Sequence, residues 1–123
     1  MTDHKSNGMS TVLNSDLQLV AKLFRGFADP TRLAILVALA DGELRVTDLQ
    51  ARVGGSQGNV SGHLACLKDC GMVADRPEGR AVWYRIADPE VVAVIRAGEG
   101  LLASTGQRVD LCPNYRAPKT RRL

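Results

Sequence analysis

The sequence predicts a mainly α-helical domain carrying a β-hairpin, in the arrangement of a winged helix-turn-helix. Three observations predict it. A short helical stretch, a Gly54-Gly55 turn and a second amphipathic stretch follow one another over residues 46–70, which is the layout of a helix-turn-helix. Directly afterwards, strand-like runs at 72–76 and 81–86 flank the turn Pro77-Glu78-Gly79-Arg80. Helical periodicity brackets this block on both sides.

Each element has its own signals. Ser15 or Asp16 opens a first helix with apolar positions Leu17, Val20, Leu23, Phe24 and Phe27. Asp29 caps a second, Pro30 suits its first turn, and Leu33, Leu36, Val37 and Ala40 form its apolar stripe before Asp41-Gly42 stops it. A third spans 46–53. Ser56 caps a fourth, whose core stripe is Val60, Leu64 and Leu67 and whose end is Gly71. Asp88-Pro89 starts a last helix with Val91, Val92, Val94, Ile95, Leu101 and Leu102. Residues 1–13 read as disordered, 14–105 as one domain and 106–123 as a flexible, irregular tail.

Composition narrows the class of function. The 123 residues are 45% hydrophobic but only 4% aromatic, favouring aliphatic helices, and the net charge of +3 permits nucleic-acid binding without requiring it. No apolar run is long enough to span a bilayer and residues 1–10 lack a signal-peptide core, so a cytoplasmic protein without membrane attachment is expected. Three cysteines are an odd number for structural disulfides. No Ser/His/acid or Cys/His constellation is recognisable, which argues against an enzyme.

In a helix-turn-helix the start of the second helix reaches base edges in the major groove. Here that start offers Ser56, Gln57, Asn59 and Ser61; Gln and Asn can pair bidentately with adenine, and Ser can donate or accept. Gly58 and Gly62 between them would let the backbone approach DNA closely. Arg76, Arg80 and Arg85 on the hairpin suit phosphate contact, which supplies affinity more than sequence choice. The partner expected from this pattern is double-stranded DNA.

Phe27-Ala28-Asp29-Pro30-Thr31-Arg32-Leu33-Ala34-Ile35-Leu36 resembles the second-helix signature of the ArsR/SmtB family of metalloregulatory repressors. Gly55 to Leu64 resembles that family's recognition helix, and Leu67-Lys68-Asp69-Cys70-Gly71-Met72-Val73 with the Gly79-Arg80 hairpin continues the likeness, over about residues 15–105. The resemblance implies a homodimer joined through its first and last helices. It also implies repression at operator DNA that an inducer releases, with His63 facing DNA or packing between helices.

The family's metal sites differ in position. The arsenic-type pair of thiols would fall on Arg45 and Thr47, and the zinc-type site needs histidines on the last helix, which has none. What remains is Cys66 and Cys70, one turn apart on one helix face. Two thiolates at about 2.3 Å from a common tetrahedral ion lie roughly 3.8 Å apart, within reach of such a pair. Thiolates select soft ions. The pattern of Cys66, Cys70 and a tail cysteine, Cys112, resembles the family's cadmium/lead sensors, implying Cd²⁺ or Pb²⁺ as inducer, with Zn²⁺ also possible. His4 is a candidate accessory ligand. A thiol-redox or persulfide switch on the same fold is the alternative.

Overall fold

The computed structural model describes the backbone of residues 7–112 and the side chains of residues 13–112. In chain order the elements are α1 (Asn7–Phe27), α2 (Pro30–Leu39), β1 (Leu44–Arg45), α3 (Val46–Val53), α4 (Gln57–Asp69), β2 (Val73–Glu78), β3 (Ala81–Ile86) and α5 (Glu90–Ser104). The winged helix-turn-helix expected from the sequence is the fold observed: α3 and α4 form the two-helix unit and β2–β3 the wing. His4 lies outside the described residues.

The α1–α2 corner shows why its sequence reads as it does. The Asp29 carboxylate accepts from the Arg32 backbone N–H at 3.0 Å, capping α2, with Pro30 at its first position. Such a cap contributes about 1 kcal/mol. The Arg32 side chain turns back, donating to the carbonyls of Gly26 (3.2 Å) and Arg25 (2.7 Å). One arginine thus bonds two of the carbonyls in the last turn of α1 while its backbone is capped at the start of α2.

α4 ends in a Schellman motif. The Gly71 N–H donates to Lys68 at 3.0 Å and the Met72 N–H to Leu67 at 2.9 Å, with Gly71 at φ +79°. This reversal sends the chain straight into β2, and Lys68 pins the junction through Asp75 at 2.9 Å. The core gathers behind α4: Val60, Leu64 and Leu67 pack with Ile35, Leu36, Leu49, Met72 and Val92, all fully buried.

Two boundaries and two further features differ from the sequence reading. α1 begins at Asn7 rather than at Ser15 or Asp16, so residues 7–13, read as disordered, are helical. β2 continues through Pro77 and Glu78, leaving Gly79-Arg80 as the turn. Proline is tolerated there because β2 is an edge strand in the order β1-β3-β2. The two-residue β1, pairing Leu44 with Tyr84 and Arg45 with Trp83, is too short to leave a pattern. Residues 106–112 are irregular, as expected, yet they fold back on the domain and bury Cys112.

Candidate nucleic-acid interface and metal site

α4 has two flanks with different company. With the core stripe facing inward, the helical period puts Gln57, Ser61 and Lys68 on one side and Asn59, His63, Cys66 and Cys70 on the other. The first side faces the wing, as the Lys68–Asp75 pair shows. The second faces α1 and the start of α2, since His63 Nε2 lies 3.9 Å from Asp29 Oδ2 and Cys70 borders a groove with Leu19, Val20, Lys22 and Leu23 of α1. Gly58 and Gly62 lie between the flanks with open space beyond them.

On the wing side, Arg45, Val46, Thr47, Gln57, Arg80, Ala81 and Val82 line a groove of about 300 Å³. Gln57, Asn59 and Ser61 are exposed. Ser56 is exposed too, but its Oγ already accepts from the Asn59 N–H at 3.0 Å, so as it stands its hydroxyl serves the cap. Arg80 sits exposed at the wing turn, with no ion pair among the described residues.

Two of the expected DNA contacts are placed differently. His63 is turned toward Asp29, its side chain only 20% exposed, so it packs between α4 and the cap of α2 instead of facing outward. That is the helix-packing alternative for this residue. Arg76 is held by its own fold: Nη2 is 2.8 Å from Glu43, Nη1 is 3.2 Å from Glu78, and its guanidinium lies 5.8 Å from the Trp83 ring centroid. The Arg76 hydrogen bonds hold the Glu43 carboxyl below its ordinary range. Arg76 therefore braces the wing root and is not a free cation for phosphate.

Arg45 was not foreseen as part of this surface. It stacks 5.3 Å from the Trp83 centroid, and its backbone N–H and Nε donate to Asp48 at 3.0 and 3.3 Å. The sequence carries a signal for the second half of that arrangement, an acidic residue three positions inside α3. It carries none for the stacking, which depends on β1 pairing with β3.

The thiols divide into a pair and a single. Cys70 is half-buried one helical turn beyond exposed Cys66; burial pushes the Cys70 thiol up, and the neighbouring Cys66 adds to it. Lys22, paired with Asp69 at 3.4 Å, acts in the opposite direction. Cys112 is 4% exposed, packed into the core in the surroundings of Arg96, Glu99 and Asp41. Among the described residues no three His, Cys, Asp or Glu side chains stand together as a metal-binding group. The expected triad of Cys66, Cys70 and Cys112 is thus not assembled within one protomer, because the tail follows α5 and the core. The α4 pair alone fits a soft ion by donor type and spacing, with room for further ligands from outside.

Among the described residues no helix is long and apolar enough to cross a membrane. Comparison with known proteins agrees with the geometry. The family model described as bacterial regulatory protein, arsR family, matches residues 29–75. A probable mercury resistance operon repressor of Streptomyces lividans is 38% identical over 92 residues, 75% of this chain and 74% of that one. The HTH-type transcriptional regulator CmtR of Mycobacterium tuberculosis is 46% identical over 76 residues, covering 62% of this chain and just 64% of its own length. A solution structure of a homodimeric winged helix-turn-helix DNA-binding domain from Mycobacterium bovis superposes with a TM-score of 0.67 at 28% identity, covering 85% of this chain and 93% of that domain. Capped α2, reading helix and wing are thus shared with proteins of one kind, and this chain belongs to the ArsR family of bacterial transcriptional regulators.

Proposed function

We propose that the protein is a homodimeric repressor that holds operator DNA and lets it go when a thiophilic ion, Cd²⁺ or Pb²⁺, binds Cys66 and Cys70. The observation that carries this reading is the thiol pair at the end of the reading helix, on the flank that meets α1. Two thiolates leave a soft ion under-coordinated, and Cys112, from a tail that has left its place in the core, supplies the third. Zn²⁺, a borderline ion, is the weaker alternative. A relative whose name is mercury resistance operon repressor supports a thiophilic inducer. The dimer is supported by an uncovered apolar face: Leu13, Leu17, Val20 and Phe24 of α1 and Leu101 and Leu102 of α5 are exposed in the single chain.

Operator release follows from linkage. The ion must bind the DNA-free arrangement more tightly, and DNA must then weaken the ion's binding by the same factor. Cadmium titration of the reduced full chain should produce thiolate-to-metal absorption saturating at one ion per protomer, with weaker binding in Cys112→Ser. Affinity for DNA from upstream of its own gene should fall by about 5- to 150-fold. Unchanged DNA affinity with cadmium, but loss with peroxide in chelated buffer, would replace the metal reading with the redox one.

The DNA surface is the exposed face of α4 together with the groove holding Gln57, Thr47, Arg45 and Arg80, with Gln57 and Ser61 on the wing side and Asn59 on the other flank as base readers. Arg80 at the wing turn takes a phosphate. Arg80→Ala should weaken binding by a similar factor on all sequences and, since each dimer carries two copies, reduce the slope of log affinity against log salt by about two. A loss confined to one operator sequence would instead make Arg80 a base reader.

A further inference from the structure

The path of the chain after α5 says what the third thiol does when no ion is present. Gly106, at φ +91°, reverses the chain, with its N–H donating to Ala103 and that of Gln107 to Leu102, both at 3.0 Å. These paired bonds close α5 as a Schellman motif. The chain then returns along the helix it has just left. The Leu111 N–H donates to the Glu99 carboxylate at 2.6 Å, and the Arg96 guanidinium donates to the Cys112 carbonyl. Both bonds involve a charged partner, the stronger kind.

The two side chains at the end of this return have separate places. Cys112 enters the core, where only 4% of it meets solvent. Leu111 forms one wall of a largely apolar cleft of about 500 Å³ between α2 and α3, with Leu33, Val37 and Val53 opposite and the Arg52–Asp41 pair (3.6 Å) at its edge. The residue beside the third thiol, itself 40% exposed, therefore lines a cleft at the base of the helix-turn-helix.

We propose that residues 107–112 form a latch: it stows Cys112 and holds Leu111 at the rim of the α2–α3 cleft, and recruiting Cys112 to the Cys66–Cys70 pair draws Leu111 away from it. What pulls the latch rests on the metal reading above; the stowed state does not. An ion claiming Cys112 must break the Glu99 and Arg96 hydrogen bonds and draw a buried thiol into the open. Whatever loosens the latch therefore raises the fraction of chains ready to bind and tightens metal binding by the same factor. Withdrawal of Leu111 leaves the α2–α3 cleft without one wall, which couples thiol capture to the helix that positions α4.

Thiol labelling tests both halves. Pulsing the reduced, chelated full chain with N-ethylmaleimide and mapping peptides by mass should show Cys112 reacting at least about tenfold more slowly than Cys66, as a group that reacts only through local opening does. Glu99→Ala should speed Cys112 about fivefold or more without changing Cys66, and tighten cadmium binding by a comparable factor. Leu111→Ser, at a surface position whose replacement spares the core, should do the same. The latch is overturned if Cys112 reacts as fast as Cys66 in the unmodified protein, or if neither substitution changes its rate. It is also overturned as a regulator if Cys112 is freed but cadmium affinity stays constant. If cadmium fails to shield Cys66 and Cys70 while Cys112 protection and its dependence on Glu99 hold, the metal reading falls and the stowed tail stands.

Discussion

Cys66→Ser and Cys70→Ser, made singly, are each expected to abolish cadmium-induced release of operator DNA at metal concentrations that fully release the unmodified protein. A serine hydroxyl is a hard donor that does not ionise near neutral pH, so the ion loses one of its soft ligands outright. Structural thiolate sites hold zinc with about 10–16 kcal/mol; shared over the three thiols proposed here, each one carries about 3–5 kcal/mol, roughly two to four orders of magnitude in affinity. The side effects should differ. Cys66 is exposed, so its serine variant keeps the stability of the parent; Cys70 is half-buried at the α1 groove and ends α4, so its variant also loosens that contact. Thiolate-to-metal absorption and fluorescence anisotropy on labelled DNA measure the two effects separately, each variant referred to its own metal-free state. Retention of the full cadmium response in Cys66→Ser would remove the α4 pair from the mechanism.

What was legible in the sequence follows the range of the interactions. The α2 cap, the α4 cap and the glycine that closes α4 are set by residues within a few positions of each other, and Asp29, Ser56 and Gly71 occupy those roles. The core stripe of α4 was legible for the same reason, since a 3.6-residue period needs no knowledge of the rest of the chain. Arg76 shows where this ends. Its principal partner, Glu43, lies 33 residues away and is brought close only when β1 pairs with β3. Nothing local distinguishes a bracing arginine from a phosphate-seeking one. His63 likewise meets Asp29 through the packing of α4 against the α1–α2 corner. Two of the thiols were legible as a pair because one helix carries both. The third depends on how the tail returns along α5, and the bonds that guide it join residues 12 and 16 positions apart.

The same reasoning gives the dimer face its test. Leu17→Glu is expected to leave the single chain folded, convert the protein to monomer at micromolar concentration and cost more than about 100-fold in operator affinity. Leu13, Leu17, Val20 and Phe24 recur at the spacing of one helix face, and Leu17 is 56% exposed in the single chain, so its replacement removes little from the core. In a two-fold dimer the substitution enters the interface twice. Each unpaired carboxylate placed in an apolar contact costs several kcal/mol, so the pair outweighs what this patch can contribute. DNA affinity falls with it, because one α4 then engages one half-site without the partner that holds the second within reach. Sedimentation equilibrium and far-ultraviolet circular dichroism report association and helix content separately. A stable dimer with Leu17→Glu would move the interface off α1, whereas a monomer with parental helix content places it there. Because Leu19, Val20 and Leu23 of the same helix border Cys70, a dimer built on α1 would also put the thiol pair beside the subunit boundary, where capture of an ion can alter the spacing of the two reading helices.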